Sequence, residues 1–250
     1  VAPMSVVEQE IKLKVLTDTP EWNINGPGTK NGLLVISGEP GSGKSQLALD
    51  LLVQLARQGV RFIFFDLKGE LEDDPNNPQQ RKNRSQFLQQ SGARYVRLIP
   101  ESLPINPLYH PPAAGTPIET TLPWLQQSIP RNTSVHTQIA YETAALIRAF
   151  APQLGAKQAQ NISDVYQQLS TPDFASLLNG LEQSGASGVD FATVKRIVDY
   201  NLFADARRAI TPEKWLSSSL VIDFKGFGND SETKALSVAL ILNFLMKLPA

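Results

Sequence analysis

Eight consecutive residues carry the most specific chemistry in the chain: Gly38, Glu39, Pro40, Gly41, Ser42, Gly43, Lys44 and Ser45. They spell G-x-x-x-x-G-K-[ST], the phosphate-binding pattern called the P-loop or Walker A motif. The chemistry asks for these residue types. Gly38, Gly41 and Gly43 let the backbone take conformations that a Cβ would block, and bring it close to an anion. Lys44 brings a positive charge to the phosphates, and Ser45 a hydroxyl ligand for Mg²⁺. Gln46 follows in the first turn of an expected helix, whose N–H groups and dipole favour a negative ligand. The expected cofactors are therefore ATP and Mg²⁺. The candidate binding set runs from Gly38 through Gln46, with Ser45 as the metal ligand and Lys44 as a candidate catalytic residue.

Elements of the right kind flank the motif. Residues 33–37, Leu-Leu-Val-Ile-Ser, form a short apolar run of the kind that makes a buried parallel strand. Residues 46–56 place apolar side chains at helical spacing, and Gly59 ends that helix. Residues 61–66, Arg-Phe-Ile-Phe-Phe-Asp, predict the next strand, with Asp66 at its carboxyl end, the edge where open α/β sheets bind ligands. Asp66 either joins the Mg²⁺ or water shell, pairs with Lys68, or caps the following turn. Hydrolysis needs a second acid after a hydrophobic strand, the Walker B Asp, often followed by a Glu that activates water. Asp223 after Leu220-Val221-Ile222 has that form, but Phe224 stands where the Glu would be. Asp223 is either a degenerate Walker B residue, or the end of an extra strand whose Asp-Glu counterpart lies outside residues 1–250.

Composition bounds the rest. A chain of 250 residues makes one large α/β domain or two small ones, and 42% apolar residues suffice for a core. A net charge of −1 gives no global pull toward nucleic acid or membrane. There are no cysteines, so no disulfide framework and no thiolate metal site. His110 and His136 are single and far apart, which disfavours a metal cluster. No run of 18 apolar residues reads as a membrane span, and a cytoplasmic location is expected. The ends, Val1-Ala2-Pro3 and Lys247-Leu248-Pro249-Ala250, read as cut, so a fragment of a longer chain is expected.

Further elements follow in order. Residues 6–16 predict a strand and 17–32 a loop, where Trp22 reads as satellite core rather than an adenine platform. Residues 70–86 predict a polar loop whose Arg81, Lys82 and Arg84 either contact phosphates or form a solvated face. A short helix is expected at 85–90 and a third strand at 94–99. Eight prolines between positions 100 and 130 impose an extended, irregular path, with the apolar stretch 103–108 tucked against the domain. Helices are expected at 134–150, 163–169, 173–183 and 190–209, with Ser163 and Asp173 as N-caps. A strand at 216–224 and a helix at 231–247 close the chain. The domains expected are an N-terminal strand and loop (1–32), an ATPase core (33–110 and 216–250), and a Pro-rich linker with a helical insertion (111–215).

In this order — P-loop, then Asp66-Leu67-Lys68-Gly69-Glu70, then Leu103-Pro104-Ile105-Asn106-Pro107-Leu108, then a helical insertion and Leu220-Val221-Ile222-Asp223 — the chain resembles the HerA/FtsK-type DNA-translocating ATPases. Within that group it is similar to the ATPase subunits of phosphorothioation-dependent DNA restriction (the DptH type). The resemblance implies an α/β fold: a RecA/ASCE-like P-loop NTPase with a mostly parallel sheet and a helical insertion. It also implies an ATP-hydrolysing motor working on double-stranded DNA, as a homo-oligomer, typically a hexameric ring, with other restriction-system subunits as partners. A nucleotide-gated interaction module without efficient turnover and a small-molecule P-loop kinase are the alternatives.

Overall fold

A computed structural model describes residues 10–15, 21–26, 33–108 and 134–247. The chain divides into two compact units. The first comprises residues 1–95 and 216–222, the second residues 96–215 and 223–250. The expectations for His110 and most of the Pro-rich stretch lie outside the described residues.

The first unit is organised by α1 (Lys44–Arg57). Its apolar stripe exists because Leu49 and Val53 recur at helical spacing. They pack with Phe62, Leu71, Phe87, Ala93 and Val221 into one core. Helix α2 (Pro78–Ser91) covers the same core through Phe87. A two-stranded antiparallel hairpin, β1 (Lys12–Leu13) with β2 (Trp22–Asn23), precedes them, and Trp22 sits half-buried in it. The main sheet has the order β3 (Ile63–Asp66), β5 (Leu220–Asp223), β4 (Arg94–Arg97). It is parallel. Backbone bonds from Leu220 N–H to the Phe62 carbonyl (2.9 Å) and from Arg94 N–H to the Ser219 carbonyl (2.9 Å) open the two ladders.

Two expectations are corrected here. Residues 33–37 belong to no strand of this sheet, and Leu33 and Val35 are each 76% exposed. An apolar run sets a tendency to pair, but a buried strand also needs neighbours on its edges and cover on its faces. None of the described strands provides them. The polar stretch 70–86 is also only partly a loop, since helix α2 begins at Pro78. Asn77 caps it by accepting the Gln80 N–H at 3.1 Å, Pro78 takes the first helical position, and Gly92 (φ 64°) closes it. These are strong helix start and stop signals that outweigh the polar composition.

The second unit is mainly helical: α3 (Val135–Phe150), α4 (Ala156–Gln168), α5 (Phe174–Gln183), α6 (Val189–Asp199), the single turn α7 (Pro212–Trp215) and α8 (Ser231–Met246). Its core is Leu146, Ile147, Ile162, Leu177, Leu181, Ile197, Leu240 and Ile241. Ser134 and Asp173 cap α3 and α5, accepting the N–H of Thr137 (3.2 Å) and Ser176 (2.7 Å). Ser163, by contrast, is buried within α4. That helix starts seven residues earlier behind Gly155, whose N–H is held by the Gln158 side chain at 3.0 Å. Helix α6 also ends sooner than expected. Asn201 adopts φ 50°, a conformation Asn tolerates, and the chain turns so that Leu202 and Ala204 bond to Leu103. Among the described residues no helix is long and apolar enough to cross a membrane.

The stretch 103–108 is tucked in as expected: Leu103, Ile105 and Leu108 are fully buried. Asn106 explains its own presence. Its amide donates to the Pro172 carbonyl (2.8 Å) and its oxygen accepts the Leu108 N–H (3.1 Å). The buried Tyr166 hydroxyl donates to the Leu108 carbonyl, and burial pushes that hydroxyl's pKa up. This segment is a scaffold of the second unit.

Candidate nucleotide-binding site

The phosphate loop lies in the first unit. Gly41 (φ 81°) and Gly43 (φ 86°) both sit in the left-handed region, where an L side chain is strained. Between them Ser42 N–H closes a turn onto the Glu39 carbonyl at 3.2 Å. Helix α1 starts at once, with Leu47 N–H to the Gly43 carbonyl (2.9 Å) as its first backbone bond. The N–H groups of Lys44, Ser45 and Gln46 thus have no acceptor inside the helix. No side chain caps Gly43, and the first turn holds no acidic residue. This is a helix terminus built without the usual Ser, Thr, Asp or Asn cap, in the place where an anion would serve as one.

Lys44 folds back over the loop. Its Nζ donates to the carbonyls of Gly38 (2.8 Å) and Glu39 (2.6 Å), so the ammonium is held on the loop it would share with phosphates. Ser42 Oγ lies 2.8 Å from where a Cβ on Gly38 would sit, so a side chain at position 38 would push that hydroxyl aside. Pro40 and the exposed Glu39 form the tip of the loop, and Ser45 and Gln46 are exposed to solvent. The residues fit a Mg²⁺-nucleotide: three amide donors and one ammonium for the phosphates, and the accessible Ser45 hydroxyl for the cation. These groups converge within nine residues, as the motif requires.

Asp66 ends β3 and is 2% exposed. Its Oδ1 accepts the Glu70 N–H (2.9 Å) and its Oδ2 the Leu71 N–H (2.8 Å). Of the roles open to it, this geometry is that of a turn cap. It anchors Leu71, which is itself part of the core.

Asp223 belongs to the second unit and is fully buried. Its Oδ1 accepts the Lys225 N–H at 2.7 Å, and its Oδ2 lies 3.8 Å from Nε of Arg97. Phe224 beside it is also fully buried and stacks on Phe227 with ring centroids 5.6 Å apart. The carboxylate is enclosed, and the residue directly after it is not an acid. Gly226 is pressed against the turn after β4: a Cβ there would sit 2.3 Å from the Leu98 carbonyl oxygen and 2.8 Å from that of Ile99. Neither Arg97 nor Gly226 stood out in the sequence, because only the pairing of β4 with β5 brings them to Asp223 and Leu98.

Two of the three basic residues of α2, Arg81 and Arg84, are engaged locally. Arg81 Nε lies 2.6 Å from Asp73, and the Arg84 guanidinium sits 4.5 Å above the Tyr95 ring.

No protein-family model matches the chain, and no curated protein matches it in sequence. Its fold does have a counterpart. The structure of VirB4 of Thermoanaerobacter pseudethanolicus superposes with a TM-score of 0.52 at 16% identity, covering 84% of this chain. The chain spans 55% of the VirB4 structure's length. The likeness is one of fold: a mixed α/β chain with a parallel three-stranded sheet, resembling part of the VirB4 structure.

Proposed function

We propose that this chain is the nucleotide-binding module of a P-loop ATPase motor, taking Mg²⁺-ATP at Gly38 to Gln46. The observation that carries the reading is the uncapped N-terminus of α1 behind Gly41, Ser42 and Gly43, with Lys44 Nζ held over the same loop. Backbone amides of Lys44, Ser45 and Gln46 bind phosphate oxygens. Lys44 neutralises charge on them, and Ser45 ligates Mg²⁺. The fold likeness to VirB4 supports the motor class. Double-stranded DNA as the track, a ring of identical subunits and a role in DNA restriction rest on the sequence resemblance of 66–70 and 103–108; a cytoplasmic setting rests on composition and the lack of a long apolar run.

A second reading is favoured by one observation. Asp223 is enclosed by Lys225 and Arg97 and followed by buried Phe224, so these residues bring no acid to an attacking water. In that reading the module binds nucleotide and signals its presence without turning it over.

The test is ATP binding by calorimetry, and ATP hydrolysis with and without double-stranded DNA, on the chain and on Lys44→Ala. The motor reading expects Mg²⁺-dependent binding, DNA-stimulated hydrolysis, and at least a hundredfold loss in the variant. Its folded stability should change by less than about 0.5 kcal/mol, since Lys44 contacts only carbonyls of an exposed loop. Binding without turnover selects the second reading. Undiminished binding by Lys44→Ala shows that the loop is not the site.

A further inference from the structure

The outer side of the P-loop helix does something its sequence does not announce. Gln54 on α1 and Gln58 at its C-cap, four residues apart, act together as a strand. Gln58 Oε1 accepts the Lys12 N–H (3.0 Å), and its Nε2 donates to the Lys12 carbonyl (2.7 Å). Gln54 does the same with Lys14, at 2.8 and 3.0 Å. A carboxamide offers one acceptor and a donor pair in one plane, the same groups as a peptide unit. The spacing fits as well. Four residues of helix rise about 6 Å, and two residues of strand about 6.6 Å. The opposite edge of the same segment is paired with β2, and Ile11 and Leu13 are buried. Residues 11–14 are therefore bonded on both edges, by a real strand on one side and by the helix's glutamines on the other.

We propose that Gln54 and Gln58 are positioning residues for the phosphate loop, and that the strand around Lys12 and Lys14 is a clamp whose docking is coupled to the ligand at the other end of α1. The inference rests on the nucleotide reading above. Its physical basis is the difference between the two ways α1 is held. Leu49 and Val53 pack on the core, and apolar contact tolerates sliding and rotation of the helix. Four directional hydrogen bonds do not. They fix the axial height and rotation of α1, and the amides of Lys44, Ser45 and Gln46 must be aimed at phosphate oxygens to within a few tenths of an ångström. Nucleotide binding that settles α1 must in turn tighten the strand, because coupling between two sites is reciprocal.

The experiment is residue-resolved amide exchange on the whole chain, with and without Mg²⁺-ATP, in the wild type and in a Gln54→Leu/Gln58→Leu double variant. The expected result is slowed exchange at 41–46 and also, by about fivefold or more, at Lys12 and Lys14. In the double variant exchange at Lys12 and Lys14 is fast and insensitive to ATP, and ATP affinity falls by a similar factor. A Gln54→Glu/Gln58→Glu variant, which keeps the acceptors and loses the donors, falls in between. Protection at 41–46 with no change at Lys12 and Lys14 in the wild type overturns the coupling and leaves the nucleotide reading standing. Wild-type ATP affinity in a folded double variant overturns it too. Absence of protection at 41–46 overturns both. The wild-type comparison decides the matter even where the double variant fails to fold.

Discussion

Asp66→Asn separates two roles that the sequence leaves open. In the structure both carboxylate oxygens are used by backbone: Glu70 N–H at 2.9 Å and Leu71 N–H at 2.8 Å. Asparagine keeps one acceptor and turns an NH₂ group toward the other amide. One charge-assisted bond is lost and one N–H is orphaned. Leu71 is 1% exposed, so water cannot replace the partner at that amide. An unsatisfied buried donor costs about 1–3 kcal/mol, and the lost charge assistance adds to it. The expected total is roughly 2–4 kcal/mol. At roughly 2–4 °C per kcal/mol for a chain of this size, the melting temperature should fall by about 4–16 °C. Amide exchange at Glu70 and Leu71, and at Leu49 and Val53 in the same core, localises the loss to the first unit. Mg²⁺-dependent ATP affinity, measured below the transition, should stay within about twofold. A variant that melts like the wild type but loses tenfold or more in Mg²⁺-dependent affinity would refute this reasoning and place Asp66 in the metal or water shell.

Three further outcomes follow from the second unit. Gly226→Ala forces a Cβ to within 2.3 Å of the Leu98 carbonyl oxygen, so the loop or the end of β4 must move. It should cost about 3 kcal/mol or more in urea unfolding, because the obstructing atoms are backbone. Gly228→Ala meets open space and only a strained φ of 54°, and should cost roughly 1–2 kcal/mol; equal costs would argue against the close approach. Glu142 and Lys247 form an ion pair buried on both sides, so Glu142→Gln should destabilise by about 3–5 kcal/mol. A Glu142→Leu/Lys247→Met pair should recover most of that in the same melt. Asp230 caps α8. Although burial raises its pKa, the Thr233 N–H and hydroxyl, the Tyr200 hydroxyl and Arg196 together hold it below its ordinary 3.8. A carboxylate held low stabilises the fold above its ordinary value, and that stabilisation is lost as the pH falls through the folded-state value. Asp230→Asn keeps the cap, so its unfolding curve should lose less stability between pH 5 and 2 than the wild type's, a difference read by acid titration of the helical signal.

What the sequence disclosed and what it withheld divide along a physical line. Local chemistry was legible. The left-handed conformations of Gly41 and Gly43, the cap at Asp173, and the burial of Leu103, Ile105 and Leu108 follow from residue types acting on near neighbours, whereas the cap expected at Ser163 did not form. Strand partnership was not. Residues 33–37 have the composition of a core strand and yet lie outside the sheet, because pairing depends on distant segments that composition does not identify. The same limit hid Arg97 and Gly226, which matter only because β4 lies beside β5. It hid Gln54 and Gln58 most completely. On a helical wheel they are an ordinary polar face, and only the strand arriving from residues forty or more positions away turns them into a ladder. The motif names its own chemistry, but on the nucleotide reading proposed above the aim of its amides depends on contacts made far along the chain. Mutations that weaken the site without touching the motif should accordingly concentrate on α1 beyond its first turns, and on the strand it holds.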